Sequence, residues 1–552
     1  MRWQLDKKTI AYAAFIAVLV LAVRLYFYTG PIFANSQDEG IYLNIMSQAV
    51  INNNFPSFSV YRGANFSNLS FFAFNPAWIP QFYSVLVYPP IFFMKIFGFS
   101  ANYAIGYVIL LSVIEGVFLF LTIKEVHSSR AGLIGGILFA FIPIDVLFST
   151  HVQPLVPMAS MLTIATYFFI KGRKAFGDAR RKDNCINPTC RNFLFSGFFA
   201  GLAYLCNPTA LAFIAFMFLY FLAMLLRNKE YAPAKFFAVL LIGFIIAYSI
   251  VGVYYLIESG NYLLYPMLDH SSFLYAASTQ PVHNYTYGSL VFTSVIGQPF
   301  YYIPILLDHR TPDYAFPIGY FSIYTYLMVF SSALLLIYAK KLRSNALLFT
   351  SMFAFYLIFI SFFVTNVSFS GGIIHFILID NYSYIAMVLV LPMIALISIG
   401  FDYLLQSKEV LLKAMTAILL ISAVFVSIGD ISRAVSFYNA SMSSLYSFIS
   451  FVEQHPTSTF YAQNLFTQEA DILTSFKYDI ISIGCSNNTL NVILHPGSYV
   501  AAGGTINIEM SQSIMGDFSS CVAGSINKNA TIAAIYSDPF SGGELIIYKI
   551  AG

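Results

Sequence analysis

Charged residues are scarce in this chain of 552 residues. Only 10% of its residues are Asp, Glu, Lys or Arg, whereas 58% are hydrophobic. A soluble domain carries about 25% charged residues, so this chain cannot cover a water-facing surface along most of its length. The formal net charge is only +3, and no basic stripe appears outside short loops, so nucleic acid is not expected as a partner.

Cysteine is also scarce, with five residues in the whole chain. Cys185 and Cys190 lie in a basic loop without further ligands, so a metal site is not expected there. Cys485 and Cys521 lie near the C-terminus, in a region that the topology below places on the oxidising side of the membrane. They could form a disulfide there, and two buried free thiols explain the pair equally well.

Long apolar runs are abundant and predict a polytopic all-α membrane protein with about eleven transmembrane helices. These runs cover roughly residues 10–28, 101–123, 131–149, 153–170, 193–207, 209–226, 236–257, 316–339, 345–364, 377–405 and 410–428. Two long runs, 131–170 and 193–226, are each divided into two spans. In the second, a single crossing would leave one of its two basic flanks outside.

The positive charges predict the orientation. Of the 28 Lys and Arg residues, 20 lie in the loops of one face, which is therefore expected to be cytoplasmic. Eleven crossings then place the N-terminus in the cytoplasm and the C-terminus outside. All eight Asn-x-Ser/Thr triplets fall on the outer face. The composition favours an integral protein of a plasma membrane, with an archaeal one as the first expectation.

Three segments on the outer face are too long to be simple turns. Residues 29–100 form a first external loop with short interfacial helices, and residues 258–315 form a second long loop. A transmembrane domain is therefore expected over 1–429, followed by an extracytoplasmic α/β domain over 430–552. In the latter, a helix around 433–454 and five strands are expected. The strands are at 458–463, 479–484, 491–494, 531–537 and 544–550.

Two adjacent carboxylates, Asp38 and Glu39, lie just past the first hydrophobic helix. In a chain with so few charges, two acids at the membrane surface need a reason to be there. A carboxylate in a partly dry site can accept the proton of a hydroxyl group that attacks an electrophile. The alternative is a pair that caps a short helix starting at Gly40.

The order of motifs around this pair is informative. Arg24 lies late in the first span, Tyr42 follows the acids by three residues, and Tyr88-Pro89-Pro90 comes after. This order resembles the GT-C glycosyltransferases, in the branch that contains the dolichyl-phosphate-mannose–protein mannosyltransferases and the lipid A aminoarabinose transferases.

The resemblance implies an inverting transfer of a monosaccharide from a polyprenyl phosphate to an external acceptor, which is a protein, a glycan or a lipid. It also implies that Asp38 is the catalytic base and Glu39 its supporting neighbour.

The departing phosphate requires cations rather than an acid. Outside the cytoplasmic loops and the C-terminal region, the basic residues are Arg24, Arg62, Lys95 and Arg310. Of these, Arg24, Lys95 and Arg310 are the candidate phosphate ligands, with His309 as a helper. A charge such as Arg24 inside a span is expensive and usually functional. The alternative for Arg24 is that its side chain snorkels to the outer lipid headgroups. The alternative for Lys95 is that it anchors an interfacial helix.

A second acidic site is in doubt. Relatives often carry a further acid in the second external turn, where this chain has Gln153 after His151. Asp145 is the replacement candidate, although a solvated helix end would also explain it. No metal ligands are therefore assigned, and a divalent cation remains only a candidate cofactor.

Four further residues are candidate substrate contacts: Tyr42, Tyr88, His151 and His375. His375 lies before the tenth span, where relatives often show Arg-Tyr and this chain has Asn381-Tyr382. Glu115, in the middle of a span, is expected to pair with a polar neighbour inside the bundle.

Two other classes compete with an enzyme. A secondary transporter or flippase predicts acids near mid-membrane in paired halves, whereas Glu115 is nearly alone at that depth. An inactive relative that serves as a partner protein is opposed by the intact Asp38-Glu39 pair. An oligosaccharyltransferase fits poorly, because Trp3 and Trp78 are the only tryptophans and the Trp-Trp-Asp motif is missing.

Overall fold

The computed structural model of the chain describes most of its residues. They are 6–31, 37–51, 53, 84–179, 188–228, 232–259, 283–287, 290–294, 306–307, 320–321, 323–361, 364–370, 373–378, 383–475, 477–483, 485–486, 489–490, 493–504, 512–526, 530–539 and 543–551. Within these ranges the chain is mostly helical. Seven of the described helices are long and apolar enough to cross a membrane, and four shorter ones are also apolar.

Helices follow one another along the chain before the C-terminal region. They are α1 (Lys7–Phe27), α2 (Gln37–Ile51), α3 (Ser84–Phe97), α4 (Ala101–Val126), α5 (Ser129–Ala140), α6 (Pro143–Phe148), α7 (Leu155–Ala179), α8 (Pro188–Tyr204), α9 (Leu211–Asn228), α10 (Ala232–Ser259), α11 (Tyr324–Ile337), α12 (Arg343–Ser361), α13 (Val390–Leu405) and α14 (Val410–Ser441). Each of the eleven predicted spans overlaps at least one of them.

Both divisions of the long apolar runs are confirmed. In the first, the chain leaves helix between α6 and α7, which begins at Leu155, but the predicted span 131–149 is itself broken after Ala140 into α5 and the short helix α6. Pro143 opens α6, a position where its missing N–H is tolerated. In the second, α8 ends at Tyr204 and α9 begins at Leu211.

The expected start of the tenth span is wrong. The segment Ile373–Leu378 is a strand, β4, which pairs with β3 (Val364–Ser370), and helix α13 begins only at Val390. A short apolar run of this kind can be a strand or a helix on periodicity alone. Strand β4 also lies parallel to β2 (Leu290–Ser294), and β2 pairs with β1 (His283–Tyr287). The sheet order is β1-β2-β4-β3, which joins the second long loop to the segment before α13.

The C-terminal region contains a five-stranded sheet with helices. Its elements are α15 (Ser443–Gln454), β5 (Thr459–Gln463), α16 (Asn464–Leu473), β6 (Asp479–Ile483), β7 (Cys485–Ser486), β8 (Thr489–Leu490), β9 (Tyr499–Gly503), α17 (Gln512–Ile526), β10 (Ala530–Ser537) and β11 (Glu544–Ile550). The sheet order is β10-β11-β9-β5-β6, in which β5 is parallel to both of its neighbours.

Four of the five strands predicted for this region are found. The prediction of a strand at 491–494 is wrong, because strand β8 lies earlier, at Thr489–Leu490, and the described residues Ile493 and Leu494 are outside any strand. Strand β9 was not predicted, because its small residues have low strand propensity, and its position in the sheet interior overrides that preference. The division of the chain at residue 429 stays a prediction, and α14 runs through that position without a break.

Cys521 is disulfide-bonded, so the alternative of a free thiol at this position is wrong. Its helix, α17, packs against β7, the strand that contains Cys485. The pairing suggested by the sequence is therefore compatible with the packing of the two elements.

Helices α8 and α10 pack backbone against backbone. Gly197 and Gly201 face Leu240 and Phe244 so closely that a Cβ at either glycine would overlap a backbone atom of α10. Small residues at such spacing allow membrane helices to approach each other. The contact therefore depends on the absence of side chains at these two positions.

We expect a Gly197→Ala substitution to lower the free energy of unfolding by about 1–3 kcal/mol, because the new methyl group forces α8 and α10 apart. The matched control is Gly106→Ala in α4, where a Cβ meets no atom within 4 Å. This control should be neutral or slightly stabilising, since alanine favours helix. Apparent melting temperatures of the purified proteins in detergent measure both effects, and equal values for the two variants would contradict the packing account.

Candidate functional site

Arg24, in the last turn of α1, is completely buried in the helix bundle. Its Nη2 lies 2.6 Å from Asp145 Oδ1, and both side chains are 0% exposed. Its Nε donates to Ser112 Oγ at 3.1 Å, and Nη1 donates to the carbonyl oxygen of Ala140 at 2.5 Å. Ser112 also donates to Asp145 Oδ1 at 2.5 Å. This network joins α1, α4, α5 and α6 at one point.

The network excludes two of the alternative explanations that the sequence left open for Arg24 and Asp145. Arg24 does not snorkel to the headgroups, and Asp145 is not a solvated helix end, because both are enclosed by protein. The proposal that Arg24 binds a phosphate gains no support from this geometry, since all three guanidinium nitrogens already have protein acceptors. Asp145 likewise is held by an arginine and is not positioned as a free second acid.

Glu115, in α4, is buried among polar neighbours as expected for a mid-span acid. Ser160 Oγ lies 3.4 Å and Thr163 Oγ1 lies 3.5 Å from its carboxylate oxygens. Both partners are on α7, so the contact ties α4 to α7.

The second buried pair joins the acidic motif to the second external turn. His151 Nδ1 lies 2.9 Å from Glu39 Oε1, and each side chain is only 1% exposed. Glu39 is in the first turn of α2, and His151 lies between α6 and α7. Each residue was a candidate from the sequence alone, but their pairing was not predicted, because they are 112 positions apart.

Asp38 and Glu39 both lie in the first turn of α2, since the helix begins at Gln37 rather than at Gly40. Carboxylates near a helix N-terminus are stabilised by the helix dipole. The side chain of Asp38 lies outside what the structure describes, so its role stays a prediction. Its neighbour Glu39 points into the bundle, toward His151.

The remaining candidates near the acidic pair lie on α2 and α3, which pack against each other. Tyr42 is buried on α2, whereas Tyr88 and Lys95 are half-buried on α3. Four residues of α3 are exposed and apolar: Phe92, Phe93, Ile96 and Phe97. Such a face is typical of a helix that lies against lipid, which is compatible with the interfacial helix expected from the sequence.

Three candidates are not placed at the site. His309 and Arg310 lie outside the described residues. His375 is in strand β4, in register with Val291 of β2 and Ser368 of β3, and its side chain is likewise outside the description. Their assignments stay predictions.

The C-terminal region covers the acidic motif. Helix α16 packs against α2. From α14, the Tyr438 ring lies 5.3 Å from the His151 ring, edge to face. Neither contact was predicted, because no pattern in the sequence relates positions so far apart along the chain. The buried site is therefore assembled from both parts of the chain.

Asp471, on α16, has an unusual environment. Burial raises the pKa of its carboxyl to about 7, and the negative charge of Asp479 adds to the rise. Asp479 itself accepts a hydrogen bond from Thr459 Oγ1 at 2.7 Å. Asp471 is therefore a group of the C-terminal region whose charge changes near neutral pH.

The donor groups of the site decide whether a divalent cation fits. Nowhere in the described part of the chain do three or more His, Cys, Asp or Glu side chains converge as metal ligands. Glu39 and His151 provide two donor groups, and Asp145 is held by Arg24. These residues alone do not form a complete ligand set for a divalent cation.

Comparison with known protein families gives one match. Residues 87–252 match the family model described as dolichyl-phosphate-mannose-protein mannosyltransferase. The match begins in α3 and ends in α10, and therefore includes the turn that contains His151. No curated protein sequence matches the chain significantly.

Solved structures match the whole fold. The apo structure of ArnT from Cupriavidus metallidurans aligns with a TM-score of 0.56 at 10% identity, over 99% of this chain and 100% of that chain. ArnT from the same organism bound to undecaprenyl phosphate gives a TM-score of 0.55 at 11% identity, with the same coverage. AglB from Archaeoglobus fulgidus, an archaeal oligosaccharyltransferase in complex with an inhibitory peptide and a dolichol-phosphate, gives 0.50 at 11% identity, over 99% of this chain and 74% of that one.

These matches confirm the expected fold class. The chain is a polytopic membrane protein with the helical architecture shared by ArnT and AglB, and it carries a small sheet region at its C-terminus. The family model agrees with the resemblance drawn from the order of motifs in the first 100 residues.

We expect Arg24→Met to destabilise the protein by about 3–5 kcal/mol, because it leaves the Asp145 charge buried without a partner. The double variant Arg24→Met/Asp145→Leu should recover much of this loss, since neither charge of the pair remains. The folded yield and apparent melting temperature in detergent report both variants. A double variant that is less stable than Arg24→Met would show that the ion pair is not the source of the effect.

We expect the stability of the protein to fall as the pH rises from about 4 to about 7, because the folded state binds the Asp471 proton more tightly than the unfolded state. Each unit of pKa elevation corresponds to at most about 1.4 kcal/mol. An Asp471→Asn variant should therefore lose this part of the pH dependence and melt above the wild type at pH of about 8. Melting curves at several pH values measure the difference, and parallel profiles would contradict it.

Proposed function

We propose that this protein is a membrane glycosyltransferase that uses a polyprenyl-phosphate-linked sugar as donor. The observation that carries the proposal is the fold, which follows ArnT along 99% of this chain. The family model over residues 87–252 supports the same class of activity. The acidic first turn of α2, held against the bundle by His151, supplies a carboxylate site of the kind this chemistry requires.

The proposed donor follows from the ligands of the similar proteins. One ArnT structure holds undecaprenyl phosphate, and one AglB structure holds a dolichol-phosphate and an inhibitory peptide. We therefore propose a polyprenyl phosphate carrier for this chain, with a protein, glycan or lipid hydroxyl as acceptor. The apolar exposed face of α3 offers a surface for the lipid tail beside α2.

We assign the role of general base to Asp38. In the proposed reaction, an acceptor hydroxyl attacks the anomeric carbon, and the bond between that carbon and the phosphate oxygen breaks. The hydroxyl proton passes to the Asp38 carboxylate, and the leaving phosphate keeps the bonding electron pair. A single displacement inverts the anomeric centre. No acid is needed for the leaving group, because the phosphate already carries its charge stably.

We place the reaction on the outer face of the membrane, with the N-terminus in the cytoplasm and the C-terminal region outside. The excess of Lys and Arg in the loops of the opposite face supports this orientation. The disulfide at Cys521 fits an oxidising compartment. An archaeal plasma membrane remains our proposal for the source.

We expect the Asp38→Asn variant to lose transfer activity by about 10²–10⁴-fold, because the amide cannot accept the hydroxyl proton. The assay follows sugar transfer from radiolabelled polyprenyl-phosphate sugars by the purified full chain. The matched control is Glu453→Gln, which removes an exposed carboxylate of α15 and should leave the rate unchanged.

Two outcomes would oppose the proposal at different levels. Undiminished transfer by the Asp38→Asn variant would remove Asp38 from its role but leave the activity standing. Failure of the wild type to transfer sugar from any such donor would overturn the proposed function and favour a transporter or a partner protein.

A further inference from the structure

The Glu39–His151 pair contains two buried polar atoms with unmet hydrogen-bonding capacity. Glu39 Oε1 is bonded to His151 Nδ1, but neither Glu39 Oε2 nor His151 Nε2 has a hydrogen-bond partner within the described structure. A buried polar atom without a partner lowers the stability of the folded state. Such an atom in a native structure requires an explanation, and a catalytic or binding role is one of the few available.

The geometry defines which ring nitrogen is available. An ionised carboxylate only accepts hydrogen bonds, so His151 Nδ1 must carry the proton that is shared with Glu39. Nε2 is then the nitrogen left for another group. A second proton on Nε2 makes the ring a cation, and the Glu39 carboxylate 2.9 Å away balances that charge. In that form Nε2–H donates a charge-assisted hydrogen bond to an anionic oxygen.

A phosphate bound at this site needs a hydrogen-bond donor of this kind. Arg24, which the sequence offered as a phosphate ligand, is used by Asp145, Ser112 and the carbonyl oxygen of Ala140. Asp38 and Glu39 would also present two adjacent negative charges to an incoming phosphate. Pairing with His151 engages one oxygen of Glu39 and leaves the Nε2 side of the imidazole beside the motif.

We propose that His151 Nε2 binds the phosphate group of the polyprenyl donor and that Glu39 is a positioning residue that acts through His151. This inference rests on the proposed function, and it reassigns Glu39 from the reaction itself to the orientation and charge of the imidazole. Both side chains are only 1% exposed, so the phosphate reaches Nε2 after a covering group moves. Two rings pack against the imidazole, Tyr438 with its centroid at 5.3 Å and Phe148 at 6.1 Å, and Tyr438 is the nearer of the two.

The test separates the two ring nitrogens. The side-chain amide nitrogen of Asn lies at about the distance of Nδ1 from the backbone, whereas that of Gln reaches the position of Nε2. A His151→Asn variant therefore keeps the bond to Glu39 and loses the phosphate ligand. A His151→Gln variant gives up the bond to Glu39 but keeps an N–H where Nε2 was.

The measurement is binding of polyprenyl phosphate to the purified full chain in nanodiscs. We expect His151→Asn to weaken this binding about tenfold to a hundredfold, as for the loss of one charged hydrogen bond. His151→Gln should lose less. Binding of the uncharged polyprenol should be equal in all variants, which a general loss of structure would not allow. Inorganic phosphate alone should bind the wild type far more weakly than the lipid does.

A matched control lies elsewhere in the fold. His127 Nε2 lies 2.9 Å from Asp402 Oδ2 in another histidine–carboxylate pair, which links the end of α4 to α13. A His127→Gln variant should bind polyprenyl phosphate as the wild type does.

If His151→Asn fails to fold, Glu39→Gln is the second variant, because its amide oxygen still accepts the Nδ1 proton while the balancing charge is lost. It should weaken lipid phosphate binding severalfold and leave polyprenol binding intact.

Three results would overturn the inference. Wild-type affinity for polyprenyl phosphate in His151→Asn, or in Glu39→Gln if His151→Asn does not fold, would show that His151 has a structural role, with a buried water satisfying Nε2. Equal affinity for inorganic phosphate and for the lipid would show that the site recognises a free anion. If the wild type itself does not bind polyprenyl phosphate, the proposed function fails together with this inference, which distinguishes that case from the other two.

Discussion

The ion pair between Arg24 and Asp145 is the interaction on which the arrangement of the site depends. A charge without a partner in an apolar bundle is expensive, so each of these residues fixes the position of the other. Asp145 belongs to the short helix α6, and the turn after α6 contains His151. The pair therefore sets where α6 lies against α1 and α4, and with it where the imidazole meets Glu39.

The scarcity of charged residues makes the arrangement of the site more dependent on this ion pair. In a chain where only 10% of residues are charged, few alternative partners compete for Arg24 or for Glu39. Two pairs, at 2.6 and 2.9 Å, connect residues that are 121 and 112 positions apart. They select one packing of the first helices among many that would bury the same apolar area, because apolar contacts alone are not directional.

The sequence predicted the helices well and the contacts poorly, for a physical reason. Span length and hydropathy are properties of one segment, so a described helix overlaps each of the eleven predicted spans, and the chain leaves helix before Leu155 and between Tyr204 and Leu211 as expected. Asp38, Glu39 and His151 were selected by residue type and neighbourhood. The partners of Glu39 and Arg24, and the approach of Tyr438 to His151, depend on tertiary packing. The tenth span was expected to begin at residue 377, inside the strand Ile373–Leu378, because a short apolar run does not distinguish a strand from a helix.

Helix α14 has a mechanical consequence. Its 32 residues run unbroken from the last predicted span to the edge of the C-terminal sheet region, a length of about 48 Å. A continuous helix of this kind acts as a stiff rod and not as a tether. The same helix that forms the last predicted span therefore also leads into the C-terminal region, and near its end the Tyr438 ring packs against the His151 imidazole.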